Sequence, residues 1–328
     1  MAYENKVLLE VRGLKKYFTT PKGLLHAVDD VNFAIEEGKT LGVVGESGCG
    51  KSTTGRVILR LLEATAGEIL FEGENIRDFS KAQMIKLREK MQIIFQDPFA
   101  SLNPRMTVSE IIGEPLIIHD KCKSKKELDN RVHELMEIVG LTPRLVNTYP
   151  HELDGGRRQR IGIARALALN PKFIVCDEPV SALDVSIQAQ VLNLMQDLQD
   201  KLKLTYMFIT HDLSVVKHFS DEIAVMYLGQ LVEKAPADEL FRNPIHPYTK
   251  ALLSAIPVAS VKKKMERIRL TGEITSPINP GKGCRFYKRC IYHKDKCNET
   301  YPQLVEANKG HFYACHFGDN LEVTDKDF

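Results

Sequence analysis

The sequence predicts an α/β protein with a parallel β-sheet and crossover helices, followed by a small domain of irregular structure. Over most of the chain, short runs of β-branched residues alternate with helical patterns, which is typical of parallel strands joined by helices. A glycine-rich motif joins one predicted strand to the helix that follows it. From Asn243 onward, prolines and glycines break the sequence into short pieces, which predicts a separate tail and not a continuation of the doubly wound core.

The strands and helices of the core follow in order along the chain. Strands are predicted at the short apolar runs Val7–Val11, Val31–Ile35, Thr40–Val44, Met91–Phe95, Phe173–Cys176, Tyr206–Ile209 and Ile223–Tyr227. Helices are predicted from Lys51 to about Leu62 and over Ile187–Leu202, where residues of good helix propensity predominate. The stretch Val108–Thr148 has a mostly helical pattern, so a helical insertion at about residues 97–160 interrupts the core.

Length and composition are those of an ordinary globular protein. The 328 residues suffice for a large domain with an appendage, and 43% hydrophobic with 27% charged residues favours a packed core over disorder. A net charge of +2 gives no electrostatic reason to expect nucleic acid as a partner.

We expect neither export nor membrane insertion of this chain. Met1–Glu10 contains no apolar region typical of a secretory signal, and no apolar stretch approaches the roughly 18 residues that span a bilayer. If the protein works at a membrane, another chain is expected to supply the membrane part. Seven cysteines without a signal peptide argue against a disulfide framework.

A phosphate-binding loop is predicted between the strand Thr40–Val44 and the helix that starts at Lys51. The motif G-x-x-x-x-G-K-[ST] has glycines where the backbone approaches phosphates closely, with N–H groups and the positive helix end facing the anion. Lys51 is expected to reach the β- and γ-phosphates, and the Ser52 hydroxyl to bind Mg²⁺. The predicted ATP-binding residues are Gly45, Glu46, Ser47, Gly48, Cys49, Gly50, Lys51, Ser52 and Thr53.

An acidic pair follows the apolar strand Phe173–Cys176. Asp177 at the strand end suits a contact with Mg²⁺ through water, and Glu178 would then lie near the γ-phosphate. From there Glu178 can orient and deprotonate an attacking water as a general base. An acidic pair alone is weak support, but after a phosphate loop it points to nucleotide hydrolysis.

Four further segments complete an ordered set of motifs. They are Gln96 after the strand Met91–Phe95, Leu153–Arg157 before a helix, Ser181–Asp184 after the acidic pair, and His211 after the strand Tyr206–Ile209. With the phosphate loop and the acidic pair, they resemble the Walker A, Q-loop, signature, Walker B, D-loop and His-switch motifs of an ABC transporter's ATP-binding cassette, over about residues 6–255. The resemblance implies a P-loop ABC-type nucleotide-binding domain with a RecA-like core, an antiparallel β part and a helical subdomain.

The resemblance also implies roles that the residues alone do not reveal. Gln96 is similar to the Q-loop residue that senses Mg²⁺ and the attacking water. The predicted contacts for Mg²⁺ are therefore Ser52, Gln96 and Asp177. Gln96 also links the site to the membrane subunits in that family. His211 resembles the switch histidine that contacts the γ-phosphate.

One aromatic residue is implied to stack on adenine. Phe18 is similar to the A-loop aromatic of the family. Tyr17 is the alternative, and either ring also suits a core position.

In this family two cassettes pair head to tail, so that each ATP lies between one Walker A and the other subunit's signature. Gly155 and Gly156 would therefore serve the partner's nucleotide, and Asp184 would line the dimer seam. The usual signature is Leu-Ser-Gly-Gly-Gln, whereas Asp154 and Arg157 here replace the serine and the glutamine. A carboxylate only accepts hydrogen bonds and repels a γ-phosphate, which puts the full hydrolysis rate of this signature's site in question. Asp154 still suits a helix N-cap.

The tail narrows the subgroup. Asn243–Leu253 resembles the segment that follows the cassette in oligopeptide, dipeptide and nickel permeases, and Gly283–Cys290 resembles the cysteine-bearing end of the same group. Within this group the chain most resembles the F-type ATPase of an oligopeptide importer, and its D-type sister is the alternative. We therefore expect residues 1–255 to form the nucleotide-binding domain and residues 256–328 a tail domain.

The resemblance implies an ATP-hydrolysing subunit that powers an importer of oligopeptides or dipeptides, bound peripherally at the cytoplasmic face of the membrane. Its implied partners are a second, related ATPase subunit in a heterodimer, two integral membrane permease subunits and, through the complex, an extracytoplasmic peptide-binding protein. The alternatives are a nickel importer, the cassette of an exporter, and an ABC ATPase of translation or DNA repair. The last group usually carries two cassettes or long coiled coils.

Four cysteines in the tail need their own explanation. Their spacings of five, six and seventeen residues are looser than the C-x₂₋₄-C pairs of common zinc sites. Four thiolates from a loop-rich segment can instead hold a [4Fe–4S] cluster, as in members of the permease group, with Lys288 and Arg289 to offset its charge. Zinc and four reduced thiols packed as small hydrophobes are the alternatives. The residues are Cys284, Cys290, Cys297 and Cys315.

Overall fold

The computed structural model describes residues 6–256, 267–270, 272 and 276–318. These residues form two compact units that alternate along the chain. The first unit comprises residues 6–8, Ile35–Lys39 and Asp78–Ile209, and the second comprises Leu9–Ala34, Thr40–Arg77 and the described residues from Thr210 onward. The division into residues 1–255 and 256–328 stays a prediction.

The elements confirm the predicted α/β class. The strands are β1 Val7–Thr20, β2 Gly23–Glu36, β3 Thr40–Val44, β4 Ala66–Phe71, β5 Glu74–Asn75, β6 Met91–Ile94, β7 Phe173–Asp177, β8 Thr205–Ile209, β9 Glu222–Tyr227, β10 Gln230–Pro236, β11 Val305–Asn308 and β12 His311–Tyr313. The α-helices are α1 Lys51–Ile58, α2 Lys81–Lys90, α3 Pro98–Ser101, α4 Val108–Ile118, α5 Lys125–Ile138, α6 Gly155–Leu167, α7 Val185–Leu202, α8 Leu213–Phe219, α9 Ala237–Arg242, α10 Pro247–Ser254 and α11 Lys296–Glu299. Within the described ranges, none of these helices combines the length and the apolar character that crossing a membrane requires.

The first unit contains a parallel ladder of three strands. β7 pairs with β6 on one side and with β8 on the other, so that Val175 lies opposite both Ile93 and Met207. Every residue of β7 and β8 is buried, which matches their continuous apolar runs. Because parallel strands end at the same edge of a sheet, the residues that follow β6 and β7 meet there.

The helical pattern predicted over Val108–Thr148 is confirmed by α4 and α5 in the first unit. α4 packs against α5 and α6. It begins with a capping box, in which the Thr107 hydroxyl accepts the Glu110 N–H and the Glu110 carboxylate accepts the Thr107 N–H. The Ser124 hydroxyl caps α5. Local side chains therefore fix where these helices begin.

The second unit contains an antiparallel sheet in the order β2-β1-β4-β5 and a second set of strands in the order β3-β9-β10-β12-β11. In the antiparallel sheet, Leu9 lies opposite Phe71. β3 is buried along its length and runs parallel to β9, with Val43 opposite Ala224. β3 ends at the glycine-rich loop, so a buried strand anchors that loop.

The tail adds strands to the second set. β12 pairs antiparallel with β10, with Glu233 opposite Tyr313, and β11 pairs with β12. Most of the described tail is irregular, as predicted, but the sequence does not predict these strands. Runs of three or four residues carry too little periodic pattern to reveal a strand.

Helix α1 ends earlier than the sequence predicts. The prediction extends to about Leu62, whereas the helix ends at Ile58. Arg60 adopts a left-handed conformation with φ of 50°, and its N–H donates to the Val57 carbonyl oxygen. A left-handed residue just beyond a helix closes its last turn, and glycine normally signals this position. With arginine there, the sequence carries no stop signal.

Candidate active site

The loop between β3 and α1 has a backbone that only glycine fits at two positions. Gly45 and Gly50 have φ of 150° and 105°. A Cβ at Gly45 would lie 2.2 Å from the Met226 carbonyl oxygen, and a Cβ at Gly50 would lie 2.1 Å from that of Ala27. A side chain at either position would therefore force the loop out of place.

Helix α1 begins at the end of this loop with Lys51. Ser52 and Thr53 lie in its first turn, where N–H groups make no bonds within a helix. The Lys51 ammonium is buried and donates hydrogen bonds to the carbonyl oxygens of Gly45 at 2.8 Å and Glu46 at 3.1 Å. The helix end, its N–H groups and the ammonium together suit an anion such as phosphate.

The middle of the loop faces outward. Ser47 and Gly48 are exposed, whereas Cys49 is buried. Burial raises the pKa of the Cys49 thiol, although the neighbouring Lys51 ammonium opposes the shift. The Cys49 carbonyl oxygen accepts the Gly229 N–H at 2.7 Å, which ties the loop to the turn after β9.

Glu46 has partners that sequence analysis missed. Its N–H donates to the Tyr248 hydroxyl at 2.9 Å, and its carboxylate accepts hydrogen bonds of 2.8 and 3.0 Å from the Arg289 guanidinium. These partners lie 202 and 243 residues away in the chain, so no local pattern reveals them. The sequence singles out Arg289 only through its place beside Cys290.

The two aromatic residues considered for the adenine contact are neighbours on β1 with different surroundings. The Tyr17 hydroxyl donates to the Asp29 carboxylate, and its ring stacks on His26 with centroids 3.9 Å apart. Burial raises the pKa of Tyr17 well above its ordinary value. Phe18 is partly exposed, and the Lys16 ammonium lies 4.8 Å from its ring centroid. Tyr17 is thus committed to a polar network, whereas Phe18 has no polar atom to engage.

In the first unit, the structure brings Gln96 and Glu178 together. Asp177 ends β7 and is buried, and Glu178 follows it with a left-handed backbone of φ 47°. The Glu178 N–H donates to the Ile209 carbonyl oxygen at 3.0 Å. Gln96 lies just beyond β6 and donates from Nε2 to the Glu178 carboxylate at 2.9 Å. A non-glycine residue in this conformation costs about 1–3 kcal/mol, so the surrounding contacts must hold Glu178 in place.

His211 belongs to the second unit, where it is exposed just before α8. The Thr210 N–H donates to the Val43 carbonyl oxygen at 3.1 Å on one side of it. On the other side, the Asp212 carboxylate caps α8 by accepting the Ser214 N–H at 2.8 Å. These two contacts fix the backbone that carries the histidine.

The signature segment begins helix α6. Asp154 occupies the N-cap position, and its carboxylate accepts the Arg157 N–H at 2.8 Å. The Arg157 guanidinium lies 3.4 Å from the same carboxylate. The predicted capping role of Asp154 is therefore confirmed.

The two signature glycines pack against the segment that contains Asp184. A Cβ at Gly155 would lie 3.0 Å from the Leu183 side chain, and a Cβ at Gly156 would lie 2.7 Å from that of Ile187. Asp184 itself is exposed and precedes α7. The start of α6 and the segment around Asp184 therefore lie against each other in the first unit.

The four tail cysteines line one small cavity of about 20 Å³, together with aromatic rings. Burial raises the pKa of Cys284 and Cys290 to about 12. The Cys284 N–H also donates to the Cys297 carbonyl oxygen at 2.7 Å. Within the described ranges, no group of three or more His, Cys, Asp or Glu side chains is arranged to hold a metal ion. The four cysteines, with Cys315 as the fourth, therefore meet at one cavity, as predicted. The geometry gives no further support to an iron–sulfur cluster.

Two family models match the chain. Residues 28–181 match the family described as ABC transporter, and residues 232–297 match the family described as Oligopeptide/dipeptide transporter, C-terminal region. The second match covers part of the cassette end and the first three tail cysteines.

The chain is similar over nearly its whole length to two proteins of Bacillus subtilis (strain 168). It is 53% identical over 325 residues to the Oligopeptide transport ATP-binding protein AppF, covering 96% of this chain and 98% of that protein. It is 56% identical over 309 residues to the Oligopeptide transport ATP-binding protein OppF, covering 94% and 96%. Among solved structures, it is similar to a dimeric post-hydrolysis state of the ATP-binding cassette MJ0796 bound to ADP and Pi, with TM-score 0.65 and 30% identity, over 70% of this chain and 99% of that one.

Proposed function

The chain belongs to the ATP-binding subunits of ABC transporters, and from this premise we propose that it powers an importer of oligopeptides or dipeptides. As a member of this family it hydrolyses ATP to drive transport, and it works peripherally at the cytoplasmic face of the membrane. One observation carries the peptide assignment. The same chain contains a phosphate loop and a tail similar to the C-terminal region of oligopeptide/dipeptide transporters. Similarity to two oligopeptide transport proteins favours peptides over nickel.

The phosphate loop is proposed to hold the triphosphate of ATP. Lys51 would leave its loop carbonyl partners for the β- and γ-phosphates, because a phosphate oxygen carries more negative charge than a carbonyl oxygen. Mg²⁺, held by Ser52, Gln96 and Asp177, would neutralise phosphate charge when bound. The narrow fit at Gly45 and Gly50 supports a loop shaped for close approach of an anion.

Glu178 is proposed as the general base. A water aligned with the γ-phosphorus gives its proton to the Glu178 carboxylate, its oxygen bonds to phosphorus, and the bond to the β-phosphate oxygen breaks to release ADP. Gln96 supports this role because its amide holds the carboxylate at 2.9 Å in one orientation. His211 would donate to the γ-phosphate, which its exposed position permits.

The family membership implies a dimeric ATPase with membrane permease subunits. We propose that the partner ATPase is a related chain, so that the pair is a heterodimer, and that an extracytoplasmic peptide-binding protein serves the complex. The exposed surface around Asp184 supports the pairing, since Val185 is 82% exposed in the single chain. Gly155 and Gly156 at the start of α6 would contact the partner's nucleotide through their N–H groups.

The peptide assignment is tested by transport in reconstituted vesicles. We expect ATP-dependent uptake of a labelled peptide when the chain is combined with its cognate permeases, partner ATPase and binding protein. The variant Lys51→Ala in the same preparation should abolish uptake. Uptake of Ni²⁺ in place of peptide would establish the nickel alternative, and co-purification with ribosomes or DNA instead of membrane proteins would establish the non-transport one.

We further propose that the four cysteines hold a [4Fe–4S] cluster. The support for it is the donor set alone: four thiols line one aromatic-walled cavity, although in the described residues they are not arranged as a metal-binding group. A cavity of about 20 Å³ admits about one water molecule, so the cysteine side chains must move apart to admit a cluster. When bound, the cluster would tie together loop segments that have too few apolar residues to form a core.

Purification without oxygen tests the cluster. We expect brown protein with broad absorbance at about 400 nm and about four irons per chain. Cys297→Ser should lose the iron and the colour together. Colourless protein without iron would exclude the cluster, and one zinc per chain would support the zinc alternative.

A further inference from the structure

The cysteine-bearing tail contacts the phosphate loop through one ion pair. Arg289 Nη1 donates to one Glu46 carboxylate oxygen at 2.8 Å and Nη2 donates to the other at 3.0 Å. This two-point geometry is the strongest form of an arginine–carboxylate contact. The pair is shielded from water, since the Arg289 side chain is 9% exposed and the Glu46 side chain 24%. It is therefore no ordinary surface ion pair.

Buried aromatic residues hold the pair in place. The Arg289 guanidinium lies 5.9 Å from the Tyr227 ring centroid, and its Nη1 is 3.4 Å from the Tyr227 hydroxyl. Tyr227 meets Tyr248 edge to face at 4.7 Å, and both rings are buried. Tyr248 in turn accepts the Glu46 N–H. The loop residue is thus held at its backbone and at its carboxylate by one packed group.

The charge at this position matters for a phosphate loop. Glu46 directly follows Gly45 and places a carboxylate beside a loop shaped for an anion, and like charges at short range repel by up to several kcal/mol. The Lys51 ammonium donates to loop carbonyl oxygens in this structure. Arg289 supplies the Glu46 carboxylate with a cation.

We propose that Arg289 is a positioning residue for nucleotide binding: by pairing with Glu46 it cancels the loop's negative charge and orients the loop for the triphosphate of ATP. This inference rests on the proposed assignment of Gly45–Ser52 as the ATP site. The tail thereby sets the nucleotide affinity of the cassette.

The position of Arg289 next to a tail cysteine connects the cysteine-bearing segment to the phosphate loop. Arg289 directly precedes Cys290, and Arg285 directly follows Cys284, so the two arginines lie at the ends of the segment Cys284–Cys290. Arg285 donates hydrogen bonds to the Asp29 carboxylate and to the Leu228 carbonyl oxygen. Both ends of this cysteine segment are therefore tied to the cassette by buried arginines. Order in the segment and the position of the loop are linked through the contact of Arg289 with Glu46.

A double variant tells whether Arg289 acts by its charge or only by holding the tail to the loop. If the charge matters, removing the Glu46 carboxylate as well should restore nucleotide affinity. Binding of the Mg²⁺ complex of AMP-PNP to the full-length chain is measured by calorimetry at low ionic strength. Arg289→Gln should weaken binding by about tenfold or more, because it leaves an unpaired carboxylate near the phosphates. Adding Glu46→Gln to it should recover about fivefold or more, because it removes that carboxylate.

The matched control is Lys282→Gln, which removes the same charge from an exposed position of the tail and should bind the analogue as the natural chain does. If Arg289→Gln does not fold, the loop is changed instead. Glu46→Asp keeps the charge but shortens the reach to Arg289, so it should bind the analogue at least about fivefold more weakly than Glu46→Gln.

Two results with the Arg289 variants would overturn the inference: Arg289→Gln with natural affinity, or a double variant as weak as Arg289→Gln, which would make the pair an anchor only. For the variants on the loop side, equal affinities of Glu46→Asp and Glu46→Gln would overturn it as well. The variant Lys51→Ala distinguishes failure of the inference about Arg289 from failure of the ATP-site assignment. If Lys51→Ala binds the analogue normally, the ATP-site assignment is wrong; if it loses binding while Arg289→Gln does not, the present inference alone is wrong.

Discussion

The Gln96 side-chain amide donates a hydrogen bond of 2.9 Å to the Glu178 carboxylate, joining the ends of two neighbouring parallel strands. β6 ends two residues before Gln96, and Glu178 directly follows β7. The acceptor lies on a left-handed backbone that its own N–H contact with Ile209 helps to hold. A carboxylate fixed at both its backbone and its side chain has the orientation that a general base requires.

Glu178→Gln should abolish hydrolysis while leaving ATP binding nearly intact. The substitution removes the base but no phosphate contact, and loss of a general base costs about 10²–10⁴-fold in rate. Steady-state ATPase assays with calorimetry on the same sample check it. Lys51→Ala is the contrasting variant, since it should weaken binding itself. Hydrolysis by Glu178→Gln at more than about a third of the natural rate would contradict the role.

Gln96→Ala should lower the maximal ATPase rate of the assembled complex by about tenfold to hundredfold, the effect of losing one hydrogen bond to a charged group. The matched control is Gln92→Ala in β6, the strand that Gln96 follows, because the Gln92 side chain donates to the Arg88 carbonyl oxygen instead. We expect the control to retain most of its activity. Equal rates for the two variants would mean that the contact with Glu178 does not orient the base.

Much of the site is predictable because its parts are local. The loop Gly45–Ser52 follows a buried strand and opens a helix, and the steric needs of its glycines are visible in the sequence. The strand Thr40–Val44 has the bounds that its apolar run predicts. The cap at Asp154 is local as well, because the contact spans three residues.

Contacts between distant segments are not predictable from such patterns. The pair of Arg289 and Glu46 joins positions 243 residues apart, and that of Gln96 and Glu178 joins positions 82 apart. Only the family resemblance assigned Gln96 to the site. The end of α1 was missed for a different reason, because Arg60 takes a backbone conformation that glycine usually signals.

Asp154→Ser should raise the turnover of the assembled complex if the carboxylate repels the partner-bound γ-phosphate. Serine is an equally good N-cap and can donate to a phosphate oxygen, so helix α6 keeps its start. Asp154→Ala is the control: it loses the cap, at a cost of about 1 kcal/mol in the free energy of unfolding, and has no hydroxyl. An unchanged rate with serine would mean that the N–H groups of Gly155 and Gly156 suffice.

His246 should make the protein less stable as the pH falls from about 6.5 to about 4. Burial lowers the pKa of His246 to about 4, although the nearby Glu233 carboxylate opposes the shift. The unfolded chain therefore takes up the proton first, so stability that is present above pH 6.5 is lost progressively toward pH 4. The full loss is on the order of 3 kcal/mol.

His246→Asn checks this dependence by urea unfolding at several pH values. The His246 Nδ1 accepts the Tyr248 N–H at 3.1 Å, and an asparagine oxygen can accept the same bond without titrating. The variant's unfolding free energy should fall less steeply between pH 6.5 and 4. His218→Asn, an exposed histidine, is the control and should keep the natural slope. Parallel curves for all three proteins would contradict a buried neutral His246.

Phe18→Ala should weaken ATP binding while leaving the binding of inorganic tripolyphosphate unchanged. A base stacked on an aromatic ring gains about 1–3 kcal/mol, which corresponds to roughly fivefold to 150-fold in affinity, and tripolyphosphate has no base to stack. Tyr17→Phe is the matched variant on the same strand: it keeps a ring but loses the contact with Asp29. If Phe18 carries the adenine contact, Phe18→Ala selectively loses ATP, whereas Tyr17→Phe binds ATP and tripolyphosphate in the natural ratio. Selective loss of ATP in Tyr17→Ala, with Phe18→Ala binding normally, would assign the contact to Tyr17 instead.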